Sequence, residues 1–170
     1  MKVILMMVMT ADGFIAKSSK QNSTDWSSEA DKKIFIEQTK KAGAIIMGLS
    51  TYKTIGRPLP GRLNLIMTHH PKKEKTIPGQ LEYTKLQPTE ILKYLRKQGF
   101  DQVILGGGTS INSLFLQENL IDEIRLTVEP LIFGGGLTLF KDLDLNKKLE
   151  LLEINKLDKN VINLRYKVIK

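Results

Sequence analysis

Asp31 and Phe35 stand four residues apart in "SSEADKKIFIEQTKK", a spacing that sets both on one face of a helix. A carboxylate beside an aromatic ring can border a pocket, where desolvation disfavours its charge and makes it useful for proton chemistry. The same acid in a first helical turn is also favoured by the helix dipole, with no function required. Two glycine turns suggest what such an acid would meet. "VILGGGTSI" passes from apolar residues through Gly106, Gly107 and Gly108 into Thr109 and Ser110; "IIMGLSTYKTIG" passes through Gly48 into Ser50 and Thr51. Each reads as a strand turning through glycine into a helix start, where unpaired N–H groups attract anions. Alone the first is a weak signal. Ile111 stands where the dinucleotide fingerprint has its third glycine or alanine, and a tight turn explains the glycines almost as well. Two such starts in one sheet fit a ligand with separated phosphates, as a dinucleotide is.

The loop "GRPLPGR" adds two cations. Pro58 and Pro60 fix φ while Gly56 and Gly61 permit tight reversals, so Arg57 and Arg62 are held in place before any anion arrives. Arg62 has the fork geometry to grip a carboxylate or phosphate twice. Packing of a guanidinium on the loop's own carbonyls suits Arg57 better. His69 and His70 are adjacent, point in different directions along extended chain, and make no convincing metal site.

Positioning these residues requires alternating strands and helices. Val3–Met9 is apolar throughout and reads as a strand buried on both faces, not as a signal peptide, since it ends in Asp12-Gly13 without a small-residue cleavage site. A helix follows, capped by Ser27 or Ser28 and ended by Lys40 and Lys41. Strands are expected at Ala44–Met47, Leu63–Met67 and within "LEYTKL", and helices at Ser50–Ile55, at Pro88–Gln98 closed by Gly99, and after the triple glycine. "IDEIRLTVEPLIF" is a further strand, Gly134–Gly136 a turn, and the runs near Leu149–Ile154 and Val161–Val168 a terminal hairpin. This order predicts one α/β domain over residues 1–170, with a mostly parallel twisted sheet flanked by helices and an antiparallel hairpin at its C-terminal edge.

Bulk properties narrow the function. There is no cysteine, which excludes disulfides and thiolate metal sites and fits a reducing cytoplasm. No apolar run approaches the roughly 20 residues of a membrane span. The net charge of +8 attracts anions, but the lysines are scattered and aromatic residues amount to 6%, so no nucleic-acid stacking surface is visible.

"IIMGLSTYKTIGRPLPGRLNLIMT" closely resembles the central segment of dihydrofolate reductases. The resemblance extends to Trp26, Asp31, Phe35 and Thr39, which are similar to that family's active-site tryptophan, pterin-binding acid, ring-packing phenylalanine and helix threonine. "VILGGGTSI" resembles its cofactor-binding turn, and Thr127 in "RLTVEP" the threonine that supports the acid. The two ends, "MTADGFIA" and "LIDEIRLTVEPLIFGGGLTLF", look more like the reductase domain of riboflavin biosynthesis, which shares the dihydrofolate reductase-like fold.

The resemblance implies NADPH-dependent reduction of 7,8-dihydrofolate, with Asp31 binding the pterin and assisting its protonation. It implies a ring site at Met6, Met7, Trp26 and Phe35, and Arg62 on the carboxylate of the folate tail. It implies a cofactor path past Ala11 and Ile15, across Gly48–Thr51, Thr68 and His69, and over Gly106–Ser110. Three positions depart from the pattern: Leu49 where a cation usually meets the 2′-phosphate, Ile111 where a tyrosine is common, and "FGGGLTLF" where an acidic segment is expected. The alternative is a riboflavin-pathway reductase acting with NADPH on a phosphorylated ribosylaminopyrimidine, a resemblance that also allows a homodimer.

Overall fold

A computed structural model describes residues 1–170. In chain order the elements are β1 (Lys2–Thr10), β2 (Phe14–Ala16), α1 (Glu29–Ala42), β3 (Ala44–Gly48), α2 (Leu49–Ile55), β4 (Leu63–Met67), β5 (Leu81–Thr84) and α3 (Pro88–Lys97). Then come β6 (Gln102–Leu105), α4 (Thr109–Gln117), β7 (Glu123–Glu129), β8 (Leu137–Thr138), β9 (Leu149–Lys156) and β10 (Ile162–Val168). Eight strands form one sheet in the order β5-β4-β3-β6-β1-β7-β10-β9. Pairing is parallel from β5 across to β7, and β10 runs antiparallel to both β7 and β9. This is the predicted single α/β domain. No helix is long and apolar enough to cross a membrane.

The apolar runs are continuous because both sheet faces are covered. Along β1, Val3 and Leu5 enter one core with Phe115, Ile91 and Leu95, while Ile4 and Met6 enter a second with Ile45, Met47 and Ile66. Side chains that alternate along a strand thus serve two cores. Helix ends follow their chemistry. Ser28 caps α1, its Oγ accepting from the Asp31 N–H at 3.2 Å, and Gly43 closes it at φ +76°. Before α3, Gln87 and Glu90 form a reciprocal capping box.

One element is absent from the sequence expectation. β2 and β8 form a separate two-stranded sheet beside the C-terminal ends of the main strands. Gly136 makes it possible: at φ +140°, a Cβ there would lie 2.2 Å from the Ala16 carbonyl oxygen. The connection before β8 is tied down by Asp12, whose carboxylate accepts from the N–H groups of Phe133 and Gly134. Two- and three-residue strands carry too little hydrophobic alternation to be read from sequence.

Candidate active site

The parallel strands β3, β6 and β1 lie side by side, and a cleft of about 1430 Å³ opens over their carboxyl ends. This is the expected position for a ligand site in an open α/β sheet. Its floor includes Met6 and Met7 of β1, and one wall is the face of α1 that carries Asp31 and Phe35. Ile15, Gly48, Ser50, Thr51, Thr68, His69, Gly106, Gly108, Thr109 and Ser110 also line it, so most residues singled out from sequence are brought together.

The two glycine turns are joined. Gly48 N–H donates to the Gly107 carbonyl at 2.8 Å, and Gly106 N–H to the Ile46 carbonyl at 2.8 Å. Gly107 does not line the cleft; at φ +90°, a Cβ there would lie 3.1 Å from the Met7 side chain. A Cβ on Gly108 would sit 3.1 Å from Thr51 Oγ1, so a side chain here would crowd the gap between the starts of α2 and α4. Neither helix has a side-chain cap, which leaves the first-turn N–H groups open to a ligand. A glycine-lined gap between two uncapped helix starts fits the phosphates of a dinucleotide.

Asp31 is 7% exposed and lines the cleft. Burial raises its pKa, the hydroxyls of Thr127 and Ser27 pull it back, Glu129 raises it further, and Lys32 lowers it. Thr127 does not itself line the cleft but stands behind Asp31 on β7. Glu129 was not anticipated. It is a second buried acid, and its Oε1 accepts from the Ser28 N–H at 2.8 Å, tying the end of β7 to the cap of α1.

Four placements differ from expectation. Arg62, and not Arg57, packs on the loop's own carbonyls. Its Nε and Nη2 donate to the Pro60 carbonyl at 3.0 and 2.9 Å, and its Nη1 donates to Thr39 Oγ1. The side chain is 5% exposed and does not line the cleft, because strand β4 begins one residue later and draws Arg62 inward. Arg57 is exposed and borders the cleft, as does Lys32. Trp26 turns away, packing edge-on against Phe133 at 5.1 Å between ring centroids. Its Nε1 is buried without a hydrogen-bond partner. Ala11 is exposed and outside the cleft, its N–H donating to the Leu131 carbonyl. Finally, Gly136, Leu137, Thr138 and Lys141 add a wall that the sequence did not disclose. Thr109, Asn112 and Ser113 of α4 hold it by donating to the carbonyls of Thr138, Leu139 and Lys141.

This sheet order and cleft define a dihydrofolate reductase-like fold. An Enterococcus faecalis dihydrofolate reductase complexed with NADP(H) superposes with a TM-score of 0.70 at 20% identity, covering 99% of this chain and 97% of that one. A diaminohydroxyphosphoribosylaminopyrimidine deaminase/5-amino-6-(5-phosphoribosylamino)uracil reductase of Thermotoga maritima gives a TM-score of 0.80 at 18% identity, over 98% of this chain and 56% of that one. The chain belongs to the family described as the RibD C-terminal domain, which matches residues 61–163. A Caenorhabditis elegans protein that carries the provisional name dihydrofolate reductase is 29% identical over 93% of this chain and 82% of its own length.

Proposed function

We propose that this protein is an NADPH-dependent reductase of the riboflavin-pathway type, acting on a phosphorylated ribosylaminopyrimidine. Membership in the RibD C-terminal domain family carries the choice of substrate. NADPH, when bound, would supply a hydride. The chain's own residues do the rest. Gly106, Gly108 and the open first turn of α4 would receive the phosphates, with Ser50 and Thr51 opposite. Met6, Met7 and Phe35 exclude water and bracket a flat ring, and Asp31 holds or yields a proton at its carboxyl oxygens. Arg57 and Lys32 would take the anionic tail at the cleft mouth.

Dihydrofolate is the second reading. It is favoured by the buried carboxylate of Asp31, which suits the amino-amidine edge of a pterin and has less use beside a uracil ring. Following NADPH absorbance with each substrate in turn separates the two. Oxidation with the pyrimidine alone supports the first reading, and oxidation with dihydrofolate alone replaces it.

The reading carries a cytoplasmic location and a homodimer. A second copy would cover the β9–β10 hairpin, where Leu149, Leu151, Leu152, Ile154 and Ile162 are 37–60% exposed. Sedimentation at monomer mass across the micromolar range would remove the dimer.

A further inference from the structure

Glu129 is a buried acid that the proposed chemistry does not use. It is 3% exposed and takes part in no ion pair. It stands two residues after Thr127 on β7, so both side chains leave the same sheet face. Its Oε1 accepts from the Ser28 N–H at 2.8 Å. Ser28 in turn carries the first turn of α1: its Oγ accepts from the Asp31 N–H at 3.2 Å, and its carbonyl from the Lys32 N–H at 3.1 Å. Among the hydrogen bonds made by residues 17–28, only the one to Glu129 reaches the eight-stranded sheet. Taking a carboxylate out of water without a cation is costly, and an apolar side chain would fill the same place without that cost.

We propose that Glu129 is a positioning residue for Asp31 and Lys32: through the Ser28 N–H it fixes the first turn of α1 to β7, and so sets where both side chains stand in the cleft. The proposal rests on the functional reading above only in giving those two residues contact with substrate. Asp31 and Lys32 both line the cleft, and both hang from Ser28 by their own backbone N–H groups. The serine cap orders the turn within α1, but it does not fix where the turn sits over the sheet. Glu129 supplies that reference. β7 is paired with β1 on one side and β10 on the other, so an acceptor on β7 is a fixed point. A carboxylate suits the place for two reasons. It accepts from an N–H more strongly than a neutral oxygen does. It also lies at the positive end of α1, a helix of 14 residues, which offsets part of the cost of burial. A misplacement of about 1 Å can cost about 10²-fold in rate, so a tether at this point bears directly on turnover.

The test is amide hydrogen exchange followed by NMR, which needs no substrate. Glu129→Leu should speed exchange at the Asp31 and Lys32 amides by about tenfold or more beyond any change at Ile46 and Leu105 in the core. Glu129→Ala should do the same where Glu129→Leu is not accommodated. Glu129→Gln keeps an acceptor oxygen and should stay within about threefold of wild type at both amides. With the substrate that the absorbance assay selects, the two apolar variants should lower kcat by about tenfold or more at unchanged NADPH affinity, and Glu129→Gln should recover most of it. Exchange at Asp31 and Lys32 unmoved in both apolar variants overturns the proposal. So does acceleration shared equally by the core, or a Glu129→Gln protein as impaired as Glu129→Leu. A wild-type protein that turns over neither substrate would sink the functional reading, and the exchange rates would still decide whether Glu129 tethers the turn.

Discussion

Glu123 offers a sharp physical test, because one buried acid holds four elements together at the end of the sheet away from the cleft. It is 2% exposed at the start of β7 and meets Lys2 of β1 at 2.5 Å, Arg125 at 2.6 Å and Arg165 of β10 at 3.1 Å. Arg125 also reaches α1, its Nη1 donating to Gln38 Oε1 at 2.6 Å. Burial alone would raise the Glu123 pKa. The hydrogen bonds from Lys2 and Arg125, with Arg165 behind them, outweigh it and bring the pKa from 4.5 down to about 2. At about 1.4 kcal/mol per pH unit, that difference makes ionised Glu123 worth about 3 kcal/mol to the folded state. The sign follows from the direction: the contribution is complete above the unfolded value of 4.5 and is lost as pH falls through about 2. Glu123→Gln should therefore lose about 3 kcal/mol at pH 7, because an amide leaves Lys2 and Arg125 without their counter-charge while Arg165 keeps only Glu153. In a protein of this size that lowers Tm by about 6–12 °C. Urea unfolding from pH 7 to pH 2.5 reads both effects. The wild type should lose stability across the acid limb, and the variant should start lower and lose less. Equal stability at pH 7, or an acid slope unchanged in the variant, would refute this account of the network.

Asp31→Asn should cut turnover by about 10²- to 10⁴-fold while leaving NADPH affinity nearly intact, as read by steady-state kinetics and a fluorescence titration. Because burial raises the Asp31 pKa, its charge opposes folding once pH exceeds the unfolded value of 3.8. The same variant should thus melt higher than wild type at pH 7, with the gain gone at pH 3. Gly108→Val, placed 3.1 Å from Thr51 Oγ1, should weaken NADPH binding by about tenfold or more with little change in Tm. Arg57→Gln should raise KM by about tenfold at constant kcat, the mark of lost uniform binding. Arg62→Gln should instead lower Tm by breaking the contacts to Pro60 and Thr39.

Sequence reasoning succeeded where one local signal sufficed. The uninterrupted apolar runs located β1 and β3, a serine cap and the Lys40–Lys41 pair bounded α1 to within two residues, and the glycine turns located the helix starts that line the cleft. The four-residue spacing of Asp31 and Phe35 placed both on the cleft wall. It failed where position depends on distant chain. The roles of Arg57 and Arg62 are decided by where β4 begins and by Thr39 on another element, neither of which the loop itself encodes. Glu129 fell inside an expected strand with nothing to mark it out, and its contact with the α1 cap spans 101 residues of sequence. Trp26 turned away because Phe133, more than a hundred residues on, supplies the ring it packs against.

The three donors that α4 extends to Thr138, Leu139 and Lys141 have a mechanical consequence. The helix and the strip of backbone beside it are bonded as one body, and the strip's near end pairs with β2 through Leu137 and Ala16. Any nudge that an arriving ligand gives the glycine turn must therefore be felt at β2, on the far rim, without a separate hinge to absorb it.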